Sequence, residues 1–360
     1  MKFAIAAAGT GGHVYPALAV AEELVRRGHD HDDVVFFGGD RLEASAVPAA
    51  GFPFVPVEVR GLKRSMSPSN LMLPVVVARA ASRIAQSIRS MGLSAVLAMG
   101  GYVTGPAAIA ARRTHRKLVL HEQNGRPGLA NRLASRLATS VLVAFPAATA
   151  KLHRAVVVGN PLRSRFVDFD RSRLRPAALA RYGLEESNTV LGVLGGSLGA
   201  KVLNDITGQI VGGAGGSDLA VIHLTGDAHA DLVNEAARDA PVPWLVTPFE
   251  ESMEFFYAAS DLVLSRAGAI TISELAVTGT PAVTVPLEAV SQGANAAFLV
   301  EAGAAVAVPQ SGIDAVPNVV RGLLGDSTRL AAMGAAALSV ATPDAAERVA
   351  IVLEEAAGRG

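Results

Sequence analysis

The chain has 360 residues, half of them hydrophobic and 18% charged, with a net charge of zero and no cysteine. That length exceeds what a single core usually supports and predicts two domains. The composition excludes disorder, a disulfide framework and a thiolate metal site or nucleophile. The apolar start reaches glycines too soon for a signal peptide. The longest apolar stretches, such as Leu71 to Ala81, are too short and too interrupted to span a bilayer, so a cytosolic protein is expected.

In chain order, Lys2 to Ala8 reads as a buried strand and Pro16 to Arg27 as a helix opened by proline and closed near Gly28. Val34 to Phe37 and Phe54 to Val59 read as strands. Leu71 to Ser90 reads as a helix with Val76, Ala80, Ile84 and Ile88 on one stripe. Strand Ala95 to Met99, a helix from about Pro106, strand Leu118 to His121, a helix over Leu129 to Leu137 and strand Val141 to Phe145 follow. The pattern restarts after Gly159-Asn160-Pro161. Asp168 to Ser187 is charged and irregular, and strands are expected at Val190 to Leu194, Ala220 to Leu224, Trp244 to Thr247, Leu262 to Ser265, Ala282 to Val285 and Ala305 to Val308. Near-continuous apolar strands alternating with helices mean parallel sheets covered on both faces. The expected fold is therefore α/β: two doubly wound, Rossmann-like domains over residues 1–160 and 161–344, facing a cleft. The last helix, about 345–360, is placed to pack back on the first domain.

Three glycine-rich turns each follow a strand: Gly9-Thr10-Gly11-Gly12, Gly100-Gly101-Tyr102-Val103-Thr104-Gly105 and Gly195-Gly196-Ser197-Leu198-Gly199. Ligands of open α/β sheets bind beyond the carboxyl ends of the strands, where glycine lets backbone N–H groups approach a phosphate at a helix N-terminus. Neither the dinucleotide fingerprint nor the P-loop of an ATPase is present. His13, directly after the first turn, is suited to take a proton from an attacking hydroxyl or to donate to a phosphate oxygen. His121-Glu122-Gln123-Asn124 closes another strand with four polar groups. In the second half, Arg266 is placed to meet a phosphate or a base carbonyl and Glu274 to accept from the hydroxyls of a ribose. Gln292 and Asn295 are spaced to share a helix face and bind sugar hydroxyls. Ten basic residues lie between Arg60 and Lys117 with no acid before Glu122. That stretch suits an anionic partner such as lipid headgroups, phosphates or nucleic acid.

Together, Gly-Thr-Gly-Gly-His13, Met-Gly-Gly-Tyr-Val-Thr-Gly-Pro106, His-Glu-Gln-Asn124, Gly-Asn-Pro-Leu-Arg163, Gly-Gly-Ser-Leu-Gly-Ala200 and Ser-Arg-Ala-Gly-Ala-Ile-Thr-Ile-Ser-Glu274 resemble the MurG family of N-acetylglucosaminyltransferases over nearly the whole chain. The resemblance implies a GT-B fold and a cofactor-free, metal-independent, inverting transfer within peptidoglycan synthesis. N-acetylglucosamine would move from UDP-N-acetylglucosamine to the 4-hydroxyl of undecaprenyl-pyrophosphoryl-MurNAc-pentapeptide, at the cytoplasmic face of the cell membrane. It also implies that Arg163 and Ser197 contact the donor. Ala269, Ile270, Thr271, Ile272, Ser273 and Glu274 would hold uridine, α-phosphate and ribose, and Gln292 the sugar. Thr10, Gly11, Gly12 and Asn124 would line the cleft, and Gly100, Gly101, Tyr102 and Thr104 are candidates for the acceptor's pyrophosphate. His13 is the first choice of general base and Glu122 the second. The basic stretch becomes a membrane-docking face, with Leu71, Met72, Leu73 and Val75 dipping into the interface and no role for nucleic acid. Two segments depart from the family pattern: Leu287 to Gln292 is a shorter loop with Ser291 ahead of Gln292, and Glu250 stands where an apolar residue usually lies near the uracil. The competing readings are a UDP-sugar epimerase of the same architecture and a membrane-docked binding protein that has lost catalysis.

Overall fold

The structure, a computed structural model, describes residues 1–58, 73–196, 199–290 and 292–358. The chain divides into two compact units, Met1–Ser164 together with Pro343–Gly360, and Arg165–Thr342.

The first unit carries β1 (Phe3–Ala6), β2 (Val34–Gly38), β3 (Phe54–Pro56), β4 (Ala95–Ala98), β5 (Lys117–Glu122), β6 (Ser140–Val143) and β7 (Ala155–Val157). They form one parallel sheet in the order β3-β2-β1-β4-β5-β6-β7. Its helices are α1 (Gly11–Arg26), α2 (Leu42–Ala49), α3 (Leu73–Met91), α4 (Thr104–Arg113) and α5 (Leu129–Ala134). Strand side chains alternate between two cores, as the pleat requires. Phe3, Ile5, Ala95, Leu97 and Val119 pack with Val14, Leu18 and Leu24 of α1. Ala4, Ala6, Val96, Ala98, Leu118 and Leu120 pack with Ile84 and Ile88 of α3 and Ala107 and Ala111 of α4.

The second unit repeats the plan with β8 (Thr189–Leu194), β9 (Leu219–Leu224), β10 (Trp244–Thr247), β11 (Leu262–Ser265), β12 (Ala282–Thr284) and β13 (Ala305–Ala307). The parallel order is β10-β9-β8-β11-β12-β13. Its helices are α6 (Arg171–Arg181), α7 (Lys201–Gly212), α8 (Ala230–Arg238), α9 (Met253–Ala259), α10 (Ala269–Thr278), α11 (Gly293–Glu301), α12 (Val316–Leu324) and α13 (Ser327–Ser339). The chain then returns to the first unit as α14 (Ala345–Gly358), which buries Val349, Ala350, Leu353 and Ala356 in the α1 core. At about 1.5–3 kcal/mol for each large side chain fully buried, that face is enough to hold the C-terminus in place.

Strand order reverses between β1 and β4 in the first unit and between β8 and β11 in the second. Ligands bind beyond the carboxyl ends of strands at such switch points. All three glycine turns lie at those ends.

Two expectations change. α1 begins at Gly11, five residues ahead of Pro16, because first-turn N–H groups need no upstream acceptor and the glycine turn itself can be that turn. Pro16 sits inside the helix, and the bond it cannot make would have gone to the Gly12 carbonyl. Asp168 to Ser187 is not irregular but contains α6, whose N-cap Asp170 accepts from the Arg173 N–H at 3.1 Å. Its charged face is tied inward, with Arg171 and Arg175 both paired to Asp261.

Candidate active site

In the first unit the β1 and β4 turns meet. Gly9, Gly100 and Gly101 have φ of 113°, 97° and 77°, a region that strains other residues. A Cβ on Gly101 would run into the Ala8 carbonyl oxygen, and one on Gly100 would stand 2.7 Å from His13 Nδ1. Gly9 donates its N–H to the carboxylate of Glu43 at 3.1 Å, and Gly39 donates to the other oxygen at 2.9 Å. Glu43 is only 1% exposed and pins the turn from the first turn of α2. Nothing local in the sequence marks it. Thr10 is exposed at the start of α1, ahead of the N–H groups of Gly11 and Gly12 at the helix's positive end.

His13 rises from the first turn of α1 and lies 3.0 Å from Gln123 Oε1. Gln123 in turn donates to the Met99 carbonyl at 2.7 Å and contacts His121 Nδ1 at 3.2 Å. His121 is buried and bonds the Gly159 carbonyl at 2.9 Å. Burial pushes its pKa down to about 4, so it is neutral near pH 7. Gln123 belongs beside His13. The polar segment His121 to Asn124 contains it, and the two-residue spacing from His121 puts both side chains on one side of the strand.

Glu122 is not a base. Its carboxylate is 2% exposed and accepts four hydrogen bonds: Asn124 N–H at 2.9 Å and Nδ2 at 3.2 Å on one oxygen, Gly128 N–H at 3.1 Å and Asn131 Nδ2 at 2.9 Å on the other. Every lone pair is spent organising the loop between β5 and α5, and Asn124 is held by it. Among the pyrophosphate candidates, Gly101 and Tyr102 are partly exposed, while Thr104 is fully buried with its hydroxyl unpaired, so that side chain presents nothing to a ligand. Arg163 lies with its guanidinium 4.3 Å from the centre of the Tyr15 ring.

In the second unit the β8 turn passes close to the end of β9. A Cβ on Gly199, at φ 72°, would run into the Thr225 carbonyl oxygen. Ser197 lies outside the described residues, as do Arg60, Lys63, Arg64, Leu71, Met72 and Ser291. α10 opens at Gly268, which has no side chain to cap it, so the helix start faces outward as a run of backbone N–H groups. Ala269, Ile270 and Thr271 sit there partly exposed, with Arg266 just before them donating to the Val285 carbonyl at 3.0 Å. Ile272 is buried in the core, and Ser273 is buried with its hydroxyl donating to the Ala269 carbonyl, so neither side chain is a ligand group.

Glu274 is partly exposed one turn on and accepts from the Tyr257 hydroxyl at 2.8 Å. Burial, and then the adjacent carboxylate, raise the pKa of Tyr257 far above the ordinary phenol value, which keeps it a donor. Tyr257 is a second partner that sequence reasoning missed. Gln292 Oε1 accepts from the Leu287 N–H at 2.9 Å, which closes the short loop on itself. Asn295 is 1% exposed and donates to the Ala267 carbonyl at 3.1 Å, so it braces the α10 entry rather than a sugar. Glu250 does not face a base either. It accepts from Arg181 at 3.0 Å, the Tyr182 hydroxyl at 2.8 Å and the Ser252 N–H at 2.8 Å, bridging α6 to the start of α9.

Two parallel-sheet units, each with glycine turns and uncapped helix starts at its switch point, define a glycosyltransferase of the GT-B type. The glycosyltransferase family 28 N-terminal domain matches residues 3–143 and the family 28 C-terminal domain matches residues 190–349. A UDP-N-acetylglucosamine--N-acetylmuramyl-(pentapeptide) pyrophosphoryl-undecaprenol N-acetylglucosamine transferase of Methylococcus capsulatus is 43% identical, covering 99% of each chain. The protein of the same name from Halorhodospira halophila is 42% identical over 98% of each. The crystal structure of Acinetobacter baumannii MurG superposes with a TM-score of 0.80 at 29% identity, covering 99% of this chain and 100% of that one. The chain belongs to glycosyltransferase family 28 and, within it, to the MurG family.

Proposed function

We infer that the chain transfers N-acetylglucosamine from UDP-N-acetylglucosamine to the 4-hydroxyl of undecaprenyl-pyrophosphoryl-N-acetylmuramyl-pentapeptide, converting lipid I to lipid II in peptidoglycan synthesis. The observation that carries this reading is the 37–43% identity, extending through both units, to relatives bearing that activity in their names.

The donor's diphosphate meets the start of α10 and Arg266, and its ribose hydroxyls meet Glu274, whose geometry Tyr257 maintains. Gln292 is partly exposed, and its amide nitrogen is offered to the sugar because its oxygen is committed to Leu287. The acceptor's pyrophosphate lies against the Gly9–Gly12 and Gly100–Tyr102 turns. His13 takes the proton from the 4-hydroxyl as that oxygen attacks the anomeric carbon. The bond from that carbon to the phosphate oxygen breaks, the configuration inverts, and UDP leaves with the electron pair. Backbone N–H groups and a guanidinium stabilise the departing charge without requiring a cofactor or metal.

The helical layer over α3, α4 and α5 supports docking on a membrane. From Arg60 to Val167 the only acid is Glu122, which is buried. Arg79, Arg83, Arg89, Arg112, Arg113, Arg132 and Arg136 are exposed there, beside the exposed Leu129, Leu133 and Leu137. Each cation near an anionic surface contributes about 1 kcal/mol, and the leucines add apolar contact. We place the protein at the cytoplasmic membrane face as a peripheral enzyme; no described helix is long and apolar enough to cross a membrane.

Incubation with UDP-N-acetylglucosamine and a short-chain polyprenyl acceptor should yield the disaccharide lipid by mass spectrometry. No transfer, or an epimerised sugar without acceptor, would overturn the assignment. His13→Ala should keep UDP affinity and lower turnover by ~10²–10⁴.

A further inference from the structure

Gln123 and His121 have no part in the chemistry as described so far, yet they occupy the floor beneath His13. The orientation of the Gln123 amide is decided by the backbone. The Met99 carbonyl oxygen can only accept, so the Gln123 atom 2.7 Å from it is the NH2 nitrogen. The amide oxygen must then be the atom 3.0 Å from His13 Nδ1, and it too can only accept. His13 Nδ1 therefore carries the proton.

The second amide hydrogen needs an acceptor, and His121 supplies one. Its Nε2 faces the Gly159 carbonyl at 2.9 Å and must be the protonated nitrogen. In the neutral ring this leaves a lone pair on Nδ1, 3.2 Å from the Gln123 nitrogen. Asn160 donates its side-chain amide to the Gln123 backbone carbonyl at 3.2 Å, holding the same segment. Each step is forced by the one before it, and the chain ends on two backbone carbonyls that cannot change role. Space is also committed to this pair. A Cβ on Gly100 would lie 2.7 Å from His13 Nδ1 and 3.1 Å from Gln123 Oε1. Gly100 therefore serves the hydrogen bond between them and not only a phosphate.

We propose that Gln123, set by His121 and the Met99 and Gly159 carbonyls, is a positioning residue that locks His13 in the Nδ1–H tautomer, making Nε2 the nitrogen that takes the acceptor's proton. An amide suits this task better than a carboxylate would. It accepts from Nδ1–H in both the neutral and the protonated ring and adds no charge that would retain the proton after transfer. The catalytic part of the proposal rests on His13 being the base, whereas the tautomer itself does not.

The test reads the tautomer directly. Long-range ¹H–¹⁵N spectra of the full chain labelled with ¹⁵N-histidine distinguish the two neutral forms, and His13→Gln assigns the signal. Wild type should show His13 as Nδ1–H and His121 as Nε2–H at pH 8. His13 as Nε2–H would overturn the proposal. Gln123→Met should mix the His13 tautomers and lower kcat by about 10–100-fold while donor KM stays within twofold. Gln123→Glu loses the donor to the Met99 carbonyl and to His121 but still accepts from Nδ1–H, so it should keep the wild-type His13 tautomer even where kcat falls. Gln123→Met with an unchanged tautomer and kcat would refute the lock. Wild-type turnover in His13→Ala, where the protein with His13 in place does show the Nδ1–H signal, would instead refute the base assignment, and the positioning role with it.

Discussion

Replacing Glu122 by glutamine separates a loop organiser from a catalyst. The carboxylate accepts four hydrogen bonds, two on each oxygen, at 2.9–3.2 Å. Glutamine puts an NH2 group where one oxygen was, facing two donors, and rotating the amide only changes which two. Hydrogen bonds to charged groups contribute about 1.5–3 kcal/mol each, so the loss is about 3 kcal/mol at the least, and the stranded donors add to it. For a unit of this size each kcal/mol lowers the melting temperature by about 2–4 °C, which predicts a drop of at least about 6 °C. Calorimetry measures that drop, and hydrogen exchange should locate the lost protection in the loop from Gln123 to Asn131. A Glu122→Gln protein that melts with wild type but turns over 10²–10⁴ more slowly would show a missing base and refute the structural role.

Tyr257→Phe removes one hydrogen bond from Glu274 without opening a cavity. A hydrogen bond to a carboxylate contributes about 1.5–3 kcal/mol, so its loss should weaken UDP binding by roughly tenfold or more in titration calorimetry, and unchanged affinity would mean that the pair does not serve the nucleotide. Burial lowers the pKa of His121 to about 4 and that of His223 to about 3, from 6.5 in the unfolded chain. The unfolded state therefore takes up these protons first as pH falls. Stability is complete above about pH 6.5 and declines towards pH 4, by up to ~1.4 kcal/mol per pH unit in each unit of the protein. Urea midpoints at pH 7.5 and pH 5 measure this, and equal stabilities at the two would contradict it.

Much of the architecture follows from local pattern alone. Apolar runs such as Val190 to Leu194 and Leu262 to Ser265 can be satisfied only by burial on both faces, so they declare a parallel sheet wherever they alternate with amphipathic helices. The glycine turns were equally legible, because positive φ at Gly9, Gly100 and Gly199 is a backbone demand that the residue itself announces. Polar side chains announce no such thing. Glu122, Asn295 and Glu250 each looked available in the sequence. Whether they are depends on donors and acceptors brought in by other elements: Asn131 from α5, the Ala267 carbonyl from the α10 entry, Arg181 and Tyr182 from α6.

The same holds for His13. Its place after a phosphate-type turn could be read from residue order, because the turn and the helix that carry it are local. Which of its nitrogens is basic could not. That depends on Gln123, 110 residues away, and through it on the carbonyls of Met99 and Gly159, which only the packed sheet brings to one edge. A hydrogen-bond network is decided by what lies nearby in space, so its direction becomes visible only once the chain has folded.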